Sequence, residues 1–150
     1  MLLKSSICPF CEIISGKDDS PVIFENSISF AFLDHRPLFA GHSLVIPKQH
    51  VQTISELSEA ITGDFFKTVR FLTGVIESAM ESQGTFIGMN NRVSQSVPHF
   101  HVHIVPRNKG DGLRGFFWPR KKYGSVEEMT QIRDIIRKRI NLILQTKEIR

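Results

Sequence analysis

The sequence predicts an α+β fold, and three observations predict it. About five short stretches are continuously apolar or alternate apolar with polar residues, as strands do. Ahead of the fourth, Ile61, Phe65, Val69, Leu72, Ile76 and Met80 recur at three- and four-residue steps, the stripe of one long amphipathic helix packed on a sheet. Met129, Ile132, Ile136, Ile140 and Ile143 form a second stripe, that of a C-terminal helix. With 150 residues the chain is one domain by length and large enough to bury a core.

Cys8-Pro9-Phe10-Cys11-Glu12-Ile13-Ile14 reads as a short helix, closed by the turn formers between Ser15 and Pro21. The Cys8-x-x-Cys11 spacing suits a redox pair or half of a metal site. A thioredoxin-like pair needs a strand before it, and there is little room ahead of Cys8, so metal ligation is the better reading. Its second pair of ligands must then come from elsewhere. Val22-Ile23-Phe24-Glu25 and Ser29-Phe30-Ala31-Phe32-Leu33 flank Asn26-Ser27 in a hairpin pattern. Asp34-His35-Arg36-Pro37 breaks the sheet. A carboxylate there can accept from a sugar hydroxyl, although spacing alone favours a turn-stabilising Asp.

Leu44-Val45-Ile46 reads as a buried strand, with His42 just before it and His50 just after. Thr53-Ile54-Ser55-Glu56 has capping-box spacing and starts the long helical region, which ends near Gly84; its phenylalanines read as core. Thr85 to Asn90 reads as a strand and Asn91 to Pro98 as a polar loop. The loop's amides and its Asn, Gln and Ser side chains are suitable donors to an oxyanion. After the strand His99 to Val105, Asn108 to Gly115 is a loop by composition, and Phe116-Phe117-Trp118-Pro119 is an aromatic stretch without period. Ser125-Val126-Glu127-Glu128 is a capping box for the last helix, whose Arg133, Arg137, Lys138 and Arg139 form a solvated basic face.

Hydrophobic content of 41% and charged content of 23% fit a soluble globular protein. No apolar run reaches the length of a membrane span, and Met1 to Ser6 is too short and too polar for a signal peptide. A cytoplasmic location is therefore expected. The net charge of +4 suits an anionic ligand. Arg107, Lys109, Arg114, Arg120, Lys121 and Lys122 cluster after the histidines, with only Asp111 in opposition, and are expected to attract polyphosphate. No internal repeat or low-complexity tract is present.

His99-Phe100-His101-Val102-His103-Ile104-Val105 carries the chemistry. At period two the three histidines share one strand face, and Phe100, Val102 and Ile104 fill the core face. A solvated face would carry Thr, Lys or Ser rather than three imidazoles. Zinc ligation is one use of such a row. However, His99 to His103 spans roughly 13 Å of strand, too far for one metal to reach all three easily. The other use is nucleophilic: a neutral imidazole attacks phosphorus while its neighbours orient it, carry charge and protonate the leaving group.

These residues together resemble a known family. The triad, its approach Gln95-Ser96-Val97-Pro98 and its exit Pro106-Arg107 are similar to the signature of the histidine triad superfamily of nucleotide hydrolases and transferases, with its Hint-like and diadenosine polyphosphate hydrolase branches. Gly41-His42-Ser43-Leu44-Val45-Ile46-Pro47-Lys48-Gln49-His50 resembles that family's upstream strand, which carries a fourth histidine, and the spacing from Asp34 to His42 also matches. The resemblance covers about residues 7–107, a core that leaves about 108–150 as an extension.

The resemblance implies an antiparallel sheet with helices on one side. It implies cleavage at the α-phosphate of a nucleoside phosphoramidate or dinucleoside polyphosphate through a nucleotidyl-histidine, with no metal needed for the chemistry. By the same resemblance His101 is the nucleophile, with His103 and His42 in the catalytic cluster. Asp34 binds the ribose, Phe10, Ile13 and Phe32 wall a purine base, and Asn90 (or Asn91), Gln95 and Ser96 hold the phosphate. Cys8, Cys11, His50 and His99 form a structural zinc site, as in zinc-binding members, and the protein pairs as a homodimer. A different class stays open: a zinc-stabilised nucleotide- or RNA-binding module without catalysis, although nucleic acid is not the expected partner. A binding module needs no nucleophile, so its function survives His101→Ala.

Overall fold

Val22–Glu25 (β1), Ser29–Leu33 (β2), Ser43–Pro47 (β3), Gly84–Gly88 (β4) and Val102–Arg107 (β5) form one antiparallel sheet in the order β1-β2-β3-β5-β4. The computed structural model describes residues 8–113 and 122–148. It comprises two compact units, Met1–Gly112 and Leu113–Arg150. The strand alternation of the sequence becomes the two faces of the sheet. On one face Ala31, Val45, Val102 and Ile104 cluster with Phe100 and with Phe65, Val69, Leu72 and Ile76 of the long helix Glu59–Ala79. Each such burial of a Val, Leu, Ile or Phe contributes about 1.5–3 kcal/mol. Thr68 also lies on the buried stripe, where its hydroxyl accepts from Asn26 Nδ2 (3.2 Å) and ties the β1–β2 turn to the helix.

The opposite face holds Phe30, Phe32, Leu44 and Ile46, packed with Phe10 and Ile13 of the short helix Pro9–Ile14. We label the helices α1 (Pro9–Ile14), α2 (Glu59–Ala79) and α3 (Val126–Glu148). Helices therefore cover both faces, not one. The apolar i, i+3 pair of α1 and the even-numbered residues of β2 and β3 build a second, smaller core.

Four local expectations are corrected. The Thr53–Glu56 pair forms, with Thr53 Oγ1 donating to Glu56 Oε1 (3.2 Å) and Gln52 N–H to Glu56 Oε2 (3.0 Å), but it shapes a 3-10 turn at Ile54–Glu56. The helix starts later, after Ser58. It ends at Ala79 rather than near Gly84, because Glu81 takes a left-handed conformation (φ 51°). Phe71 is not core: it is exposed and touches Phe24 at 5.7 Å. The strand expected from His99 begins only at Val102. The β3–β5 register Val45↔Val102 would next use Ile46 and Pro47, but Pro47 has no N–H to donate. Its carbonyl accepts instead from the His99 ring, and Phe100 N–H goes to Val51 O (2.7 Å).

In the second unit, Ser125 Oγ accepts the Glu128 N–H (3.1 Å) at the start of α3, as its sequence predicts. Met129, Ile132 and Ile136 of the apolar stripe are exposed. The side chains of Ile140 and Ile143, the stretch Phe116 to Pro119, and Arg114, Arg120 and Lys121 lie outside the described residues. No helix among the described residues is long and apolar enough to cross a membrane.

Candidate functional site

β3 and β5 are neighbours, and this brings His42 to His103. Past the last paired residues of β2 and β3, Asp34 N–H still donates to His42 O (2.9 Å), so Asp34 stands across from His42. Its carboxylate lies 3.6 Å from His42 Nε2, while its other oxygen accepts the Arg36 N–H (2.8 Å). The turn-stabilising role and the approach to the site thus coexist in one side chain.

Ring protonation follows from the partners. Leu38 N–H donates to His42 Nδ1 (3.0 Å), so the neutral His42 carries its proton on Nε2 and donates it to His103 Nδ1 (2.9 Å). His103 then holds its own proton on Nε2. His101 Nδ1 lies 2.8 Å from the His99 carbonyl, which can only accept, so His101 carries its proton there and leaves the Nε2 lone pair free. Phe10 stands perpendicular to the His101 ring at 5.3 Å, and His103 lies edge-on at 4.9 Å.

Burial keeps these rings neutral. It lowers His42 despite the Asp34 carboxylate, lowers His101 despite its bond to the His99 carbonyl, and with the His101 and His42 imidazoles brings His103 down to about 4. At neutral pH the row is thus a set of uncharged donors and acceptors rather than a positive patch.

His99 turns away from this group. Its Nε2–H donates to Pro47 O (2.8 Å), freeing Nδ1, which faces Cys8 Sγ at 3.5 Å and Cys11 Sγ at 3.7 Å. His50 Nδ1 lies 3.3 Å from Cys11 Sγ. The four ligand atoms lie within 4.8 Å of one another. Two ligands across a tetrahedral zinc stand about 3.5 Å apart, from the usual Zn–S and Zn–N lengths, so this set has the size and softness that zinc requires. Burial, then Cys8, pushes the Cys11 thiol up to about 11. That disfavours the redox reading, which needs a ready thiolate. Asp34, His42 and His103 also come within 4.8 Å of one another. Here, however, His42 must keep its Nε2 proton, because its other nitrogen faces the Leu38 N–H, so this group is hydrogen-bonded rather than ligating.

The remaining predicted residues divide. Phe10, Ile13 and Phe32 come together in the smaller core. Asn90 is exposed beyond β4, whereas Asn91 Oδ1 accepts the Ile54 N–H (2.9 Å). Gln95 is already engaged: Nε2 crosses to the segment after β3 and donates to Gln52 O (2.6 Å), and Oε1 accepts from Arg92 N–H (2.7 Å) within its own loop. Ser96 lines a cleft of about 380 Å³ with Cys8, His50, Gln52 and Val97, on the side of the thiol cluster. In the basic run, Arg107 pairs with Asp111 through Nη2–Oδ1 (2.9 Å) and Nε–Oδ2. Sequence reasoning missed the backbone groups that set the tautomers, namely Leu38 N–H and the Pro47 and His99 carbonyls. No residue type signals these; only the pairing of β3 with β5 could have suggested them.

A family model described as the HIT domain matches residues 15–110. "Protein hit" of Bacillus subtilis is 34% identical over 136 residues, covering 89% of this chain and 94% of the relative. The adenosine 5'-monophosphoramidase hnt1 of Schizosaccharomyces pombe is 34% identical over 112 residues, covering 75% and 83%. The asymmetrical bis(5'-nucleosyl)-tetraphosphatase of the same yeast is 38% identical over 94 residues, covering 61% and 52%. Among solved structures, a HIT family member from Bacillus subtilis superposes with a TM-score of 0.77 at 33% identity, covering 88% of this chain and 96% of that one. A Zn-bound histidine triad family protein from Mycobacterium smegmatis superposes with a TM-score of 0.67 at 27% identity, covering 90% and 96%.

Proposed function

Because this chain belongs to the HIT domain family, we propose that it is a nucleotide hydrolase that cleaves at the α-phosphate of a nucleoside phosphoramidate or a dinucleoside polyphosphate through a nucleotidyl-His101 intermediate. The observation that carries the reading is the tautomer of His101: Nδ1–H is held by the His99 carbonyl at 2.8 Å, so Nε2 offers a lone pair from a neutral ring. Relatives named a monophosphoramidase and a tetraphosphatase support the two substrate classes. In the proposed reaction Nε2 forms a bond to the α-phosphorus as the bond to the leaving group breaks. The proton for the leaving group comes from the His42–His103 pair. An arriving phosphate anion favours proton uptake by that pair, against the burial that lowers it in the free protein. Water then hydrolyses the phosphoramidate and restores the ring.

Phe10, Ile13 and Phe32 wall a purine base, and Asp34 takes the ribose while its field bears on His42. For the phosphate, Asn91's bond to Ile54 favours Asn90 of the two asparagines. Loop amides near Gln95 and Ser96 serve better than the Gln95 side chain, which is already bonded to Gln52 O and Arg92 N–H. Cys8, Cys11, His50 and His99 hold a structural zinc, a reading supported by the free Nδ1 of His99 facing both thiols. Zinc would supply cross-linking of α1 to the sheet and no chemistry. The edge strand β4, with exposed Phe86 and Ile87, supports a homodimer, and a cytoplasmic location is retained.

The test is His101→Ala, assayed on a panel of adenosine and guanosine phosphoramidates and dinucleoside polyphosphates. Turnover is lost while nucleoside monophosphate still binds, and rapid quench of the wild type with labelled substrate places the label on the peptide containing His101. Turnover that survives in the variant, or label on another residue, rejects the mechanism.

A further inference from the structure

The thiol cluster and the catalytic row share one residue. The His99 ring faces Cys8 and Cys11 (3.5 and 3.7 Å) and is braced by Pro47 O, while its backbone carbonyl holds the His101 Nδ1–H (2.8 Å). His99 is wholly buried, so its ring and carbonyl have little freedom to move independently. A second link runs through α1. This helix has six residues and no side-chain cap bond, too little to persist alone. It carries Cys11 among the thiols and, one residue earlier, Phe10, whose ring stands against both His101 (5.3 Å) and His99 (5.8 Å). Whatever fixes the thiols therefore fixes the wall and the tautomer anchor of the catalytic row.

We propose that the cation cluster and the nucleotide site are thermodynamically linked through His99 and α1: a nucleoside monophosphate seated against His101 tightens the grip of Cys8, Cys11, His50 and His99 on their metal, and the metal tightens the grip on nucleotide. The proposal rests on reading the cluster as metal ligands and the His101 surface as the phosphate site. The physical basis is shared ordering. Binding at either site must fix α1 and the 99–101 backbone, and the second ligand finds that cost already met. Linkage of this kind is reciprocal, so it can be read from the metal side with no turnover at all. His99 then acts as a positioning residue in the reaction.

The test titrates zinc-loaded protein with a chromogenic chelator, with and without saturating AMP, and repeats the AMP addition on cobalt(II)-substituted protein. AMP should raise zinc affinity about fivefold or more and shift the thiolate–cobalt absorption. Phe10→Leu, which keeps an apolar wall but loses the ring contact, should bind both ligands with a smaller coupling factor. Equal zinc affinity with and without AMP, in protein that binds both, overturns the linkage and leaves the site readings standing. A protein that binds no zinc, or no AMP, overturns the linkage together with the reading beneath it.

Discussion

His42 makes no bond to the proposed nucleophile, yet the proposed reaction gives it a large part. It is buried, accepts the Leu38 N–H and donates to His103 Nδ1. His42→Ala leaves both of those groups without the partner they have now. An orphaned buried donor or acceptor costs about 1–3 kcal/mol, so two cost roughly 2–4 kcal/mol of stability after partial relaxation. The kinetic cost is separate. The His42 Nε2–H held on His103 Nδ1 keeps the His103 proton on Nε2, and a bond from that N–H to the charged phosphate is worth about 1.5–3 kcal/mol. Losing it slows the chemical step about 10- to 150-fold. His42→Asn discriminates between the two costs, since its amide oxygen can accept from Leu38 and its NH₂ can donate to His103. Urea melts give the first number, and single-turnover rates on a nucleoside phosphoramidate give the second. The asparagine variant should recover more than half of the lost stability and part of the rate. If His42→Ala is folded and turns over within twofold of wild type, or if asparagine is no better than alanine, the tautomer relay is wrong.

Three further outcomes are expected. Gly41→Ala should destabilise the fold by at least about 1–2 kcal/mol, because Gly41 has φ +89° and an added Cβ would meet Met80 Cγ at 2.6 Å; an unchanged melting temperature refutes this. The stability of the metal-free protein should fall as pH drops from about 6.5 to about 4. The His103 pKa is depressed in the fold, so the unfolded chain binds the extra proton first and stability rises with pH across that window. His103→Gln should flatten that slope by about one proton's worth, and an identical slope in the variant refutes the assignment. Lys109→Ala should weaken activity more on dinucleoside polyphosphates than on phosphoramidates, with added salt narrowing the gap, because Arg107, the other early cation of the run, pairs with Asp111. Equal losses on both substrates would indicate a structural role for the loop.

Legibility in the sequence tracked the kind of interaction. β1, β2 and β3 were legible because period two and apolar runs report burial directly, and the stripe from Phe65 to Ile76 reported α2 for the same reason. The helix boundary at Glu59 was not, because the Thr53–Glu56 signature describes a local bond pattern that a 3-10 turn satisfies equally well. Phe71 was misread because a phenylalanine beside a helical stripe looks like a phenylalanine on it; only its exposure tells them apart. Cys8-x-x-Cys11 suggested half of a ligand set, and the structure gathers His50 and His99 with the two thiols into a group that could hold a metal. Gln95 illustrates the converse: its place in the motif says nothing about the Gln52 carbonyl that occupies its amide.

The core, not the histidines, fixes the geometry of the histidine row. Phe100, Val102 and Ile104 are fully buried against α2, and a one-residue slip of β5 would exchange them for His99, His101 and His103. Such a slip would bury imidazoles among Phe65, Val69 and Leu72 and break the bonds to Pro47, His99 O and His42, so the apolar pattern holds the register. Pro47 then ends the ladder at the point where His99 must rotate toward the thiols. Had the ladder continued, His99 would have been held in line with His101 and His103. The residue that stops the strand therefore separates one row of histidines into a ring that faces two thiols and a pair, His101 and His103, that does not.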